Sequence, residues 1–141
     1  MEAVKRFLLV PFVILAVAAL IVLPAFISGC ASASNAAFST EKALGDAGVE
    51  AGHSFNVYYL QATNGATASQ LEALNAQRAR VYTSLTDLGE SLAIVEGARL
   101  AYATNPAATN SAALVVALTV VTQQETNVVS LVESFMGPLK P

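Results

Sequence analysis

Residues 67–104 read TASQLEALNAQRARVYTSLTDLGESLAIVEGARLAYAT. Leu71, Leu74, Arg78, Val81, Leu85, Leu88, Leu92, Val95, Arg99 and Tyr102 follow one another in alternating steps of three and four. That step pattern keeps side chains on one stripe of a helix and repeats every seven residues, as a helix-packing seam does. The stretch opens on Thr67 with Gln70 three residues later, the pair that makes a capping box. It closes on Asn105-Pro106, because the residue before a proline is pushed out of the helical region. A helix over these residues would be about 57 Å long at about 1.5 Å per residue.

Working outward, the segment from Phe38 to Thr63 carries Leu44, Ala47, Ala51, Phe55, Tyr58 and Ala62 at helical spacing. Gly45, Gly48 and Gly52 interrupt it, and each glycine costs a helix about 1 kcal/mol against alanine. They read equally as places where a neighbouring helix comes close or as a weak, frayed first helix. Asn64-Gly65 ends the segment, since both residues tolerate the left-handed conformation that closes a helix. On the other side, a third segment starts near Pro106 or Asn110 and runs to Met136. Its stripe is Leu114, Leu118, Val121, Glu125, Val128, Val132 and Phe135. Its many valines raise strand propensity, but Thr122, Gln123, Gln124 and Asn127 gather on one side of the stripe, which favours helix. Short connections make neighbouring helices antiparallel. The expected fold is therefore all-α, an elongated up-down-up three-helix bundle over residues 38–137. A short first helix would leave part of the long middle helix uncovered and open to a protein partner or to self-association.

The 141-residue chain has a net charge of −3, and its only cysteine is Cys30. From Cys30 onward Lys and Arg number five against nine Asp and Glu. An acidic body argues against nucleic-acid binding, which needs a basic face, and against a polybasic grip on anionic lipid. A single cysteine excludes an internal disulfide, and an unpaired one in an exported protein calls for another role.

The N-terminal residues supply that role. Lys5 and Arg6 precede an apolar run, and Ile27-Ser28-Gly29-Cys30 closes it. A basic start, an apolar middle and a small-residue exit is the layout of an export signal. The last four residues resemble the lipobox of bacterial lipoproteins. The resemblance implies cleavage between Gly29 and Cys30 and attachment of lipid to Cys30. The competing expectation is an uncleaved anchor: Phe7 to Gly29 is 23 uncharged residues, and about 20 suffice to span a bilayer. Residues 1–29 are thus a signal peptide or a membrane anchor, and residues 30–37, small and uncharged, read as a flexible tether. Either way the body faces the periplasm or exterior of a bacterial cell envelope. Ala31 after the cysteine resembles the pattern that permits transport to an outer membrane, where the host has one.

Candidate chemistry is sparse. Asp46, Glu50 and His53 share a helix face, and Glu50–His53 matches the Glu-x-x-His spacing of di-iron bundles. Those sites need a second histidine, and the chain has one histidine in all, so the expectation is a solvated face with no metal and no cofactor. Arg78 and Arg99 stand in the seam of the second segment and Glu125 in that of the third. Charged seam residues set register or partner choice. A hairpin centred near Asn105 would put Glu125 opposite Leu85 and Glu133 opposite Arg78, the latter as an ion pair. Arg78 and Arg99 are also candidate partner contacts. Phe55, Tyr58, Tyr59, Tyr82 and Tyr102 fall at helical spacings and are expected in the core with hydroxyls reaching out. No phosphate loop, paired-cysteine site or nucleophile elbow is present in the sequence. In layout the chain resembles small helical lipoproteins encoded in phages and prophages, some beside lysis genes. The expected function is that of a non-enzymatic envelope lipoprotein, a structural or interaction module. The alternatives are a lysis-accessory protein that keeps residues 7–29 as a spanning helix, and a metal protein using Asp46, Glu50 and His53.

Overall fold

A computed structural model describes residues 30–136, and over them the chain is three α-helices with no strand. Helix α1 is Cys30–Thr63, α2 is Ala68–Thr104 and α3 is Ala108–Met136. Every pair of helices packs together, as a three-helix bundle requires. The lipobox residues Ile27 to Gly29, the apolar run before them and the Gly137-Pro138 stop lie outside the described residues.

The helix boundaries of α2 follow its sequence signals. Thr67 adopts extended backbone and its Oγ1 accepts from the Gln70 N–H at 3.4 Å, while the Thr67 N–H donates to Gln70 Oε1 at 2.8 Å. These bonds satisfy donors that a helix start otherwise leaves free. Gly65 takes φ +82 in the turn before it, a conformation that costs glycine little. At the other end Asn105 leaves the helical region, and its carbonyl accepts from Asn110 Nδ2 at 2.7 Å, tying the loop to the first turns of α3.

The seam of α2 divides into two flanks. Leu74, Val81, Leu88, Val95 and Tyr102, seven residues apart, are buried in the common core. Arg78, Leu85, Leu92 and Arg99 lie on the side that faces α1. Leu85 lies against Gly52, Leu88 against Gly48 and Leu92 against Gly45, so α1 and α2 run antiparallel in a single register. On α3 the stripe from Leu114 to Val132 is buried throughout, Glu125 included. Phe55 of α1 and Phe135 of α3 meet near the far end, ring centres 6.1 Å apart.

The glycines of α1 serve close approach. A Cβ on Gly48 would lie 2.5 Å from Leu88 Cδ2, and one on Gly52 would lie 3.0 Å from Leu85 Cδ1. Both distances are below van der Waals contact, so an ordinary residue at either place would force the helices apart or displace a packed leucine.

Two expectations about α1 are corrected. Residues 30–37 are not a tether but the first two turns of α1. Alanine is the strongest helix former, and Ala33 and Ala37 are buried in the core that Tyr102 and Leu114 share. Small side chains read as flexibility in the sequence are a packing surface here. Nor is the first helix short: its 34 residues stand against 37 in α2. The premise that part of α2 lacks cover from α1 falls with it.

Candidate functional site

Cys30 is the first residue of α1. It sits at the end of the bundle that also holds the α2–α3 loop, because the register set by Gly45, Gly48 and Gly52 continues to bring residue 30 level with residue 107. The Gly29–Cys30 junction therefore adjoins the helical body directly. Gly29 itself lies outside the described residues.

Asp46, Glu50 and His53 are exposed on α1. Asp46 is engaged by Lys42, Nζ to Oδ2 2.6 Å, an ion pair one helical turn away. Among the described residues no three His, Cys, Asp or Glu side chains converge to hold a metal ion.

Arg78 does not pair with Glu133. Its guanidinium stands over two rings, 4.9 Å from the centre of Tyr59 and 5.4 Å from that of Tyr82. The reason is the division of the seam: residue 78 is on the flank that faces α1, where Tyr59 is, so α3 is out of reach. The Tyr59 hydroxyl donates to Asn75 Oδ1 at 2.6 Å and holds the ring in place. The cation over Phe135 of α3 is instead Arg80, at 5.4 Å. Cation–π stacking keeps these arginines at the rim of the core with their charge in water. Sequence spacing located Arg78 in the seam but could not say which of two neighbours its flank would meet.

Arg99 builds the most connected polar cluster. It forks onto Glu96, Nε to Oε2 2.8 Å and Nη2 to Oε1 2.7 Å. Its Nη1 donates to Ser34 Oγ at 3.4 Å, its Nε lies 3.9 Å from Glu41 Oε2, and it stands 5.3 Å over the Phe38 ring. Two carboxylates thus share one guanidinium. Glu41 is the less favoured of them: its Oε2 is buried without a hydrogen-bond partner. Burial, and next the charge of Glu96, push the Glu41 carboxyl above its ordinary range, while Arg99 pulls the other way. Glu41 was not singled out by sequence, because nothing along α1 marks which acidic residue will meet α2.

Glu125 is a different case. It is 4% exposed, in the middle of α3, on the stripe that otherwise consists of Leu and Val. Burial alone pushes its carboxyl above the ordinary range, with no cation offsetting it. Its expected neighbour Leu85 is turned toward α1, against Gly52.

Between α1 and α2 an open apolar groove follows the glycines, lined by Gly45, Gly48, Gly52, Leu85, Leu88 and Leu92. It marks where side chains are missing for close packing, and no charged group lines it. Phe55 is in the core with Tyr58 and Tyr59 tilted against it at 6.0 and 6.4 Å between ring centres, and Tyr102 is buried, whereas Tyr82 is exposed. Compared with protein families, with curated proteins and with solved structures, the chain matches none.

Proposed function

We propose that this is a membrane-tethered lipoprotein of the bacterial cell envelope, cleaved before Cys30 and lipid-modified there, whose body works as a non-enzymatic spacer or interaction module. The carrying observation is positional. The Ile27-Ser28-Gly29-Cys30 exit ends where α1 begins, so an anchor on residue 30 is attached to a helix and not to a slack linker. Helix α2, with 37 residues, makes the body about 55 Å long at about 1.5 Å per residue. A stiff rod fixed at one end sets a distance from the membrane and presents its far end and flanks to a protein partner. Arg78, exposed between Tyr59 and Tyr82, is a rigid cation on such a flank.

A second reading keeps residues 7–29 as a spanning helix, in the manner of a lysis-accessory protein. The 23-residue uncharged length of that stretch favours it. Intact-mass measurement of protein extracted from membranes separates the two. Loss of residues 1–29 with added acyl mass on Cys30 is the expected result, and Cys30→Ser should then leave the leader in place. A stable form that retains Met1 and carries no acyl mass refutes the lipoprotein reading in favour of the spanning one.

A further inference from the structure

We infer that the bundle makes a second contact with the membrane: the end that carries Cys30 lies against the bilayer through the outward face of early α3 and the last turns of α2. The inference rests on the tethered reading above, in either of its forms.

Of the exposed large apolar side chains, Phe38, Ile94, Leu100, Val115, Val116 and Val120 stand toward this end, and Val49, Val57, Leu60, Leu71 and Tyr82 stand farther along the rod. Val115, Val116 and Val120 project from α3 at 42%, 62% and 46% exposure, and Leu100 and Ile94 from α2 at 51% and 63%. The core does not need them: the buried stripe of α3 is Leu114, Ala117, Leu118 and Val121. By length and composition α3 is apolar enough to cross a membrane, although only 39% of its most apolar window is buried. Its buried face accounts for the bundle, and its outward valines remain over. Apolar side chains grouped on a surface mark an interaction site.

Charge is missing from the same region. Residues 30–40 carry no Asp, Glu, Lys or Arg, and neither do residues 100–124. The nearest charges are the cluster in which Arg99 meets Glu96 at 2.7 Å and Glu41 at 3.9 Å, and Lys42, paired with Asp46 at 2.6 Å. The exposed carboxylates Asp46, Glu50, Glu72, Asp87 and Glu90 all stand farther along the rod. A surface held in water has no reason to separate its charges in this way, whereas one pressed to lipid excludes them because an ion in hydrocarbon is costly.

The occupant follows from where the chain leaves the described body. The 23 uncharged residues 7–29 end at Cys30, the first residue of α1. The helix starts there without slack, so residue 30 cannot be at the membrane while residue 107, level with it, is far away. Outward apolar side chains at that level meet the headgroup and acyl boundary, the depth at which interfacial helices bury their apolar faces. Among the described residues the basic side chains toward this end, Lys42 and Arg99, are paired, so the contact is apolar and insensitive to salt, and zwitterionic lipid suffices.

The test uses the full chain with Cys30→Ser, so that a single introduced cysteine takes the label and residues 7–29 supply the tether. An environment-sensitive fluorophore is placed at Val116→Cys or Leu100→Cys, and at Glu72→Cys near the far end as reference. The protein is reconstituted into phosphatidylcholine vesicles with and without nitroxide-bearing lipid. Labels at 116 and 100 should emit to the blue of the label at 72. Nitroxide lipid should quench them several-fold more, with no change at high salt, and Val115→Asp with Val120→Asp should abolish the difference. Protein that fails to float with the vesicles overturns the tether itself. Protein that floats while its label at 116 is as solvent-like as that at 72 overturns the membrane contact and leaves the tether standing. Quenching at 116 that grows with protein density in vesicles lacking nitroxide assigns the face to a second copy and also overturns the proposal.

Discussion

Replacing Glu125 should make the bundle more stable, and more so at neutral than at acidic pH. Glu125 shares its stripe with Val121, Val128 and Val132, each fully buried, and is itself 4% exposed. No opposite charge compensates it, so its raised pKa comes from burial alone. Folding strips much of the water from an ionised group, and no cation replaces it. A buried polar group without partners costs about 1–3 kcal/mol, and more when charged. The sign follows from linkage. The unfolded carboxyl titrates near 4.5, and the folded one above that. Below the unfolded value both states hold the proton and no penalty exists. As pH rises through the folded value the native state must surrender a proton it binds more tightly, and stability is lost. Glu125→Leu removes the penalty at similar volume. At neutral pH it should add about 2 kcal/mol, which is roughly 8 °C in melting temperature for a domain of this size. The advantage should shrink as pH falls toward about 4.5, the unfolded value. Thermal melts by circular dichroism across this range, on protein lacking residues 1–29, read the difference directly. Glu125→Leu melting at or below the parent at neutral pH, or an advantage that does not vary with pH, would refute the reasoning and place a compensating group against the carboxylate.

Leu88→Ala should cost about 2–5 kcal/mol, because its buried side chain leaves a cavity, and half-buried Leu85→Ala should cost less. Together they should bring a domain of about 5–15 kcal/mol close to unfolding; denaturant titration checks this, with exposed His53→Ala as the near-neutral comparison. Gly48→Ala should destabilise, since its Cβ would lie 2.5 Å from Leu88, whereas Gly89→Ala, with open space around its Cβ, should stabilise by about 0.5–1 kcal/mol. Opposite shifts in their melting temperatures are expected; shifts of one sign would contradict the close approach of α1 and α2. Glu41→Gln should raise stability at neutral pH and not below about 4.5, by the same sign as Glu125, and its effect should grow in Arg99→Met, where the buried carboxylate still faces Glu96 but has lost the cation that partly offsets it. A double-mutant cycle of urea midpoints measures that coupling.

Much of the body was legible in local patterns. Seven-residue spacing along residues 71–102, the Thr67–Gln70 box, Gly65 and Asn105-Pro106 act over a few residues each, so the sequence by itself determined the α2 boundaries and the all-helical class. It also determined that an apolar stretch ends in Ser-Gly-Cys before the body begins. What spacing could not decide is which side of a stripe faces which neighbour. Arg78 and Arg99 belong to the same seam as Val81 and Val95, yet the first pair turns to α1 and the second to the core, because a helix with two partners has two flanks. That division took Arg78 from Glu133 to Tyr59 and Tyr82, and brought Glu41, Glu96 and Arg99 together from two helices. Composition also misled where the physics is collective. Residues 31–37 are small and uncharged, which describes a linker as well as it describes a close-packed helix face. Only the presence of Tyr102 and Leu114 in the same core as Ala33 and Ala37 makes it the latter. The glycines of α1 carried the same ambiguity, resolved by Leu85 and Leu88 standing where their side chains would have been. Burial of Glu125 was likewise a tertiary fact: its place in the stripe was visible, but the absence of an opposing charge depends on what the other two helices present at that level.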